Sequence, residues 1–143
     1  MIAVDTNILI YAHRKDSIWH ANAKSALTSL AEGRTDWAVP WPCIHEFLAI
    51  VTHTAVYSPP SGLDQALRQV DKWLGSPVVQ LLSESNDHWS TLKGLIASGQ
   101  ISGPKTHDAK IAALCLGHGV TELWTADRDF SRFPELSCRN PLV

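Results

Sequence analysis

Four acidic residues occupy positions where short apolar segments end or where amphipathic helices begin. Asp5 and Asp127 each follow an apolar segment, Glu46 lies in the early turns of one predicted helix, and Asp108 lies near the start of another. Asp129 is a fifth candidate. Clustered carboxylates resist ionising together unless a cation offsets their charge. Oxygen ligands without accompanying Cys or paired His suit Mg²⁺ or Mn²⁺, so the set favours a divalent-metal pocket.

Such a pocket matches the chemistry of phosphodiester hydrolysis. A divalent cation lowers the pKa of bound water and stabilises charge on both the attacking and the leaving oxygen, so no side-chain nucleophile is required.

Each acid also has an ordinary structural explanation when it is taken alone. Asp5 and Asn7 could cap the following helix, and Asp127 could form an Asx turn. Asp108 could stabilise a helix N-terminus through the helix dipole, and Glu46 could lie on a solvated face. The shared placement of the acids, rather than any one of them, favours a site.

The elements that must position these acids alternate between strands and helices. Apolar runs at 1–4, 37–39, 78–82 and 122–125 predict strands, and the intervening stretches show helical spacing. Parallel neighbours need long crossovers, so this alternation predicts a single-domain α/β/α sandwich over residues 1–143 with a mainly parallel central sheet. The active crevice of such a sheet lies beyond the carboxyl ends of its strands, where Asp5 and Asp127 would converge.

The predicted helices have apolar faces that should pack on the sheet. These faces are Ala23, Ala26, Leu27 and Leu30; Ile44, Phe47, Leu48 and Val51; Leu63, Leu67, Val70 and Leu74; Trp89, Leu92 and Ile96; and Ile111, Ala112 and Cys115.

Composition sets the remaining bounds. With 143 residues, 45% of them hydrophobic, the chain is expected to fold on one core without disulfide or metal staples. A net charge of -2 gives no general support for polyanion binding, so nucleic-acid contact must come from local charge. The odd number of cysteines, three, favours reduced thiols and a cytoplasmic location. No basic leader and no membrane-spanning apolar run is expected.

Four motifs resemble those of one family. Residues 4–12 (VDTNILIYA), 46–47 (EF), 108–113 (DAKIAA) and 125–130 (TADRDF) are similar, in order and spacing, to the motifs of PIN-domain ribonucleases, and among these to VapC-type toxins of type II toxin–antitoxin systems. The resemblance covers nearly the whole chain.

The resemblance implies a PIN-like fold that cleaves RNA endonucleolytically with Mg²⁺ or Mn²⁺. It assigns the acidic metal site to Asp5, Glu46, Asp108 and Asp127, with Asp129 as an additional or water-mediated ligand. It further implies that Asn7 braces the Asp5 loop and that the Thr125 hydroxyl supports the rim of the pocket. The implied partners are an RNA substrate, a cognate antitoxin and a second copy of the chain in a homodimer, with no membrane.

Two other functions stay open at this stage. One is a protein of the same fold that binds RNA or an antitoxin without turnover. The other is an aspartate-based phosphohydrolase with Asp5 as covalent phospho-acceptor. The second is disfavoured because a dehalogenase-type phosphatase needs a further aspartate two residues on, where this chain has Asn7.

Several residues near the motifs are candidates for holding substrate. Basic side chains there could contact phosphates that flank the scissile one: Arg14, Lys15, Lys105, Lys110, Arg128 and Arg132. Among six tryptophans, Trp19 and Trp41 are candidates for a surface that stacks unpaired bases or buries a partner helix. His45 and His107 directly precede acids, and no catalytic role is assigned to them.

Overall fold

A five-stranded parallel sheet forms the centre of the computed structural model, which describes residues 1–143. The strands are β1 (Ile2–Val4), β2 (Trp37–Pro40), β3 (Val79–Leu82), β4 (Glu122–Trp124) and β5 (Cys138–Arg139), in the order β3-β2-β1-β4-β5. Every neighbouring pair is parallel, as the alternating pattern predicts. The exposed two-residue strand β5 was not predicted, because it is too short to show a hydrophobic period.

Six α-helices connect the strands and surround the sheet. They are α1 (Thr6–His13), α2 (His20–Ala31), α3 (Trp41–Val51), α4 (Leu63–Leu74), α5 (His88–Gly99) and α6 (Thr106–Gly117). Short 3₁₀ turns, Gly103–Lys105 and Arg128–Arg132, precede α6 and follow β4.

The order of the strands divides the helices between two faces of the sheet. The chain runs outward from β1 to β2 and β3, then returns across the sheet to β4. Because parallel crossovers are right-handed, this reversal places α1 to α4 on one face and α5 with α6 on the other. The contacts between helices agree, since α1 packs on α2 and α3 while α5 packs on α6. The predicted α/β/α layering is therefore confirmed.

Aromatic side chains fill the space between the sheet and the α3–α4 pair. Trp37 and Phe47 are fully buried, and the Phe47 ring meets the Trp73 ring edge to face with centroids 4.8 Å apart. The ring of His13, at the end of α1, contacts Phe47 from another side at 5.2 Å. These ring contacts hold α3, which carries Glu46, against α1 and α4.

The predicted apolar face of α4 is wrong at Leu63 and Leu67 and right at Val70, which is buried, and at Leu74, which packs partly buried against the core. Leu63 and Leu67 are 71% and 52% exposed, whereas Ala66, Val70 and Trp73 are buried. The sequence offers two apolar stripes on this helix. The helix buries the stripe that carries the indole, because an indole removes more apolar surface from water than an isobutyl group does.

The predicted face of α5 is also wrong in part. Trp89 is 66% exposed, while Leu95 is the buried residue of this helix. Leu92 and Ile96 pack against the core only partly buried. The tight packing of α5 on α6 is thus made through aliphatic side chains.

Substitutions on the two stripes are expected to separate core from surface. Phe47→Ala should lower the free energy of unfolding by about 3–5 kcal/mol, because it removes a fully buried ring and leaves a cavity. Leu67→Ala should change it by less than about 1 kcal/mol. Urea unfolding of both variants measures this, and a large loss in Leu67→Ala would contradict the packing of α4.

Candidate active site

The site lies between β1 and β4, where the order of the strands along the sheet reverses direction. Loops leave β1 toward one edge of the sheet and β4 toward the other, which opens a crevice at the carboxyl ends of these adjacent strands. Asp5 follows β1 directly, and its backbone N–H donates to the Trp124 carbonyl at 3.0 Å. Asp127 lies three residues beyond the end of β4. The two predicted strand-end acids thus meet at one place.

The Asp5 carboxylate is held by four donors. Its Oδ1 accepts the Thr6 backbone N–H at 2.7 Å and lies 3.6 Å from the Cys43 Sγ. Its Oδ2 accepts the Thr125 hydroxyl at 2.8 Å and the Asn7 amide at 3.4 Å. Both oxygens are therefore fixed in orientation before any ligand arrives.

The pKa of Asp5 is raised, chiefly because the carboxyl is buried away from water. Its hydrogen bonds from Thr125 and Thr6 act in the opposite direction, and the charge of Glu46 adds to the rise. The influence of Glu46 shows that α3 brings this acid close to the end of β1.

Asn7 and Thr125 join the two strand-end loops. The Asn7 side chain donates to the Thr125 hydroxyl at 3.3 Å and accepts the Ala126 N–H at 3.1 Å. The Thr125 Oγ1 also accepts the Asp127 N–H at 3.0 Å. The loop after β1 and the loop after β4 are thereby fixed relative to one another, which sets the separation between Asp5 and Asp127.

Three carboxylates form the tightest part of the site. Asp108, in the first turn of α6, joins Asp127 and Asp129 so that one oxygen from each lies within 4.8 Å of the others. Asp127 Oδ1 accepts the Asp129 N–H at 2.8 Å, which orients this pair. Asp129 also forms an ion pair with the Lys105 ammonium at 3.0 Å.

Burial and the neighbouring acids raise the pKa of Asp108 to about 6. Loss of hydration contributes most, followed by the charge of Asp127 and then those of Asp5, Asp129 and Glu46. The other four acids predicted from the sequence are therefore all close enough to act on Asp108. Asp5 and Glu46 lie outside the tight group of three.

Asp5 and Asp127 also have the structural roles, as caps of the following turn or helix, that the sequence suggested for them. Asp5 is the N-cap of α1, and Asp127 caps the 3₁₀ turn that follows β4. Each uses a carboxylate oxygen locally, so capping fixes the orientation of the side chain that the site presents.

The donor set fits a hard divalent cation. Asp108, Asp127 and Asp129 offer only carboxylate oxygens, with no histidine or cysteine in the group. Oxygen donors of this kind suit Mg²⁺, Ca²⁺ or Mn²⁺ rather than zinc. A cation would also offset the repulsion that raises the pKa of Asp108.

A cavity of about 530 Å³ opens from the acids between α3 and α6. Glu46 and His45 line it from α3, and Asp108, His107 and Lys110 line it from α6. A second cavity, of about 630 Å³, extends from Asp127 toward β5.

The second cavity contains residues that the sequence did not indicate. Arg139 and Asn140 line it together with Arg128. They escaped notice because they belong to β5 and its end, far along the chain from the acidic motifs. Arg14, a sequence candidate for phosphate contact, is engaged elsewhere, with Asp16 at 2.7 Å and with the Tyr57 ring at 4.1 Å.

Comparisons with known proteins agree with this geometry. The family model described as PIN domain matches residues 2–136. Ribonuclease VapC43 of Mycobacterium tuberculosis is 34% identical over 99% of this chain and 96% of its own length. Ribonuclease VapC33 of the same organism is 30% identical over 99% of each chain.

Solved structures show the same fold. VapBC2 from Rickettsia felis, solved with a DNA fragment from its promoter, matches with a TM-score of 0.73 and 22% identity over 98% of each chain. VapC20 of Mycobacterium tuberculosis, described as a Sarcin-Ricin loop cleaving toxin, matches with a TM-score of 0.67 and 18% identity over 92% of this chain and 93% of its own. None of the helices here combines the length and apolarity that crossing a bilayer requires.

The raised pKa of Asp108 makes a prediction about metal-free protein. The folded chain holds the proton of the Asp108 carboxyl more tightly than the unfolded chain does. The free energy of unfolding therefore falls as pH rises from about 4 to about 6, and the whole of this loss is present at higher pH. Asp108→Asn should therefore raise Tm at pH near 7.5 by about 2–4 °C and leave it almost unchanged near pH 4.

Differential scanning calorimetry in EDTA at the two pH values measures the effect. The difference between them is diagnostic, because a packing defect would lower Tm at both. An equal shift at both pH values would contradict the raised pKa of Asp108.

Proposed function

The chain belongs to the PIN-domain family of VapC ribonucleases, and from that premise we propose that it hydrolyses internal phosphodiester bonds of RNA as the toxin of a toxin–antitoxin pair. The observation that supports this most directly is the approach of five carboxylates to one another at the carboxyl edge of β1 and β4, where Glu46 and Asp108 line one open cavity and Asp127 lines another. The 143 residues act together as one PIN-like domain.

A Mg²⁺ or Mn²⁺ ion is the proposed cofactor. Asp108, Asp127 and Asp129 would hold it, flanked by Asp5 and Glu46. When bound, such an ion supplies charge stabilisation at the phosphate and an activated water at neutral pH.

The chain's own side chains orient the reaction. Hydrogen bonds to both oxygens of Asp5 fix the orientation of its carboxylate. Asp5 can therefore orient a bound group without losing side-chain freedom when that group binds. Glu46 and Asp108 line opposite walls of the cavity between α3 and α6. Glu46 is exposed on α3. It would accept the proton of the attacking water, while the leaving ribose oxygen takes a proton from solvent as its bond to phosphorus breaks.

Positive charge near the acids would hold the RNA backbone. Lys110 lines the cavity beside Asp108, and Arg128 and Arg139 line the cavity beside Asp127. Local cations of this kind bind phosphates even on a chain whose net charge is -2.

The proposed partners follow from the family. A cognate antitoxin would silence the toxin, and the VapBC assembly of Rickettsia felis supports this because its toxin chain shares the fold. We also infer a homodimer and a cytoplasmic location, where the RNA substrate and reduced thiols would both be found. All three cysteines are unpaired in the structure.

Removing one site carboxylate should abolish cleavage. Asp108→Asn and Asp5→Asn each delete a charge at nearly constant shape, so both should lower the rate of RNA cleavage by at least about 100-fold while the protein stays folded. The matched control is Asp64→Asn, which changes an exposed aspartate in the first turn of α4.

An end-labelled RNA cleavage assay with Mn²⁺, Mg²⁺ or EDTA tests this, with circular dichroism to check folding. Cleavage that needs the metal and persists only in wild type and Asp64→Asn is the expected result. Undiminished cleavage by Asp108→Asn would refute the assignment.

A further inference from the structure

Two aromatic rings of α3 stack on one another beside the acidic cavity, which one of them lines. Trp41 is the first residue of α3, immediately after β2, so it occupies the same carboxyl edge of the sheet as Asp5 and Asp127. One turn later along α3, His45 places its ring against the indole, with centroids 6.1 Å apart and planes inclined by only 27°. We call Trp41 and His45 the aromatic platform.

The platform is open to solvent rather than part of the core. Trp41 is 38% exposed and His45 is also exposed, whereas their helical neighbours Cys43, Ile44 and Phe47 are fully or almost fully buried. Single exposed aromatic residues are common on protein surfaces. Two rings stacked on one another beside a chemically active pocket are less ordinary, because the stack can be extended by a further flat ring at a defined position relative to that pocket.

The platform adjoins the reacting groups directly. His45 precedes Glu46 in the chain, and both line the cavity that Asp108 closes from the side of α6. On that opposite wall lie His107 and the half-buried Lys110. A flat aromatic face on one wall and a cation on the other match the two parts of a nucleotide, its base and its phosphate.

We propose that Trp41 and His45 stack an unpaired base of the RNA next to the scissile phosphate while Lys110 contacts the backbone across the cavity. This inference rests on the proposed ribonuclease function and assigns the residues of this chain that hold the base beside the cut. A base within an A-form duplex is already stacked on its neighbours and cannot offer its face to a protein ring. Stacking tolerates any base, so the platform favours single-stranded loops without reading their sequence.

Substitutions at Trp41 test the platform. Trp41→Ala should raise the KM for a short single-stranded RNA about tenfold, since stacking on an aromatic side chain contributes that order of affinity per base. The kcat should stay within about twofold, because the platform does not touch the reacting atoms. Trp41→Phe should restore most of the affinity, and Trp41→Leu, which is apolar but not planar, should not.

The matched control is Trp89→Ala. Trp89 is more exposed than Trp41 and lies in the first turn of α5. The segment that leads into α5 is joined to the end of α6 that is far from Asp108, by a hydrogen bond between His118 and the Ser83 carbonyl. Its removal should leave KM and kcat unchanged. Melting curves of all variants check that the rings, and not the fold, have been altered.

A binding measurement separates this proposal from the proposed function. In the Asp108→Asn background, fluorescence anisotropy with a labelled single-stranded RNA should show a Kd about tenfold higher when Trp41→Ala is added.

If wild type cleaves no RNA but this difference in Kd is found, the proposed function is wrong and the platform is supported. If wild type cleaves RNA while Trp41→Ala shows unchanged KM and Kd, the platform is overturned and these rings are left for a protein partner. Equal affinity for a blunt duplex and a single strand would also overturn it.

Discussion

Repulsion between carboxylates at one edge of the sheet is the constraint on which the site depends. Loss of hydration and the charges of the four neighbouring acids together raise the pKa of Asp108 to about 6, and burial raises the pKa of Asp5 as well. The fold holds them there with hydrogen bonds rather than with compensating cations. Asn7 and Thr125 lock the two strand-end loops together, and Lys105 alone forms an ion pair with the group, through Asp129. The arrangement is unfavourable for the metal-free chain and therefore gains from binding a divalent cation.

Topology explains why acids so distant in sequence meet. The reversal of winding between β1 and β4 leaves an open crevice at their carboxyl ends, and the loops there carry Asp5 and Asp127. Helices α3 and α6, on opposite faces of the sheet, bring Glu46 and Asp108 to the same edge. Each layer of the fold thus contributes one wall of the site. The cavity between α3 and α6 is where the proposed substrate meets the acids, the platform and Lys110.

Most of the fold and the positions of the acids could be predicted from the sequence, because the patterns that indicate them span only a few residues. A buried strand followed at once by an acid can be recognised in a few residues, and right-handed crossovers then allow few topologies. The buried stripe of α4 could not be predicted in the same way, since Leu63 and Leu67 compete with Ala66 and Trp73. The choice is made by the Phe47 ring, which belongs to another helix. Strand β5, with Arg139 beside the acids, was missed because two residues carry no periodicity and depend on β4 for their conformation.

The most direct test of the account is to measure Mn²⁺ binding by the intensity of the free-ion electron paramagnetic resonance signal. Wild-type protein should take up Mn²⁺ near pH 7.5 and bind it more weakly near pH 5, where the Asp108 carboxyl, with its pKa of about 6, holds a proton. Asp108→Asn and Asp127→Asn should each weaken binding by at least about tenfold, and Asp64→Asn should bind as wild type does. Wild-type protein that leaves the Mn²⁺ signal unchanged, or an Asp108→Asn protein that binds as tightly as wild type, would contradict the claim that these carboxylates are held together to bind a divalent cation.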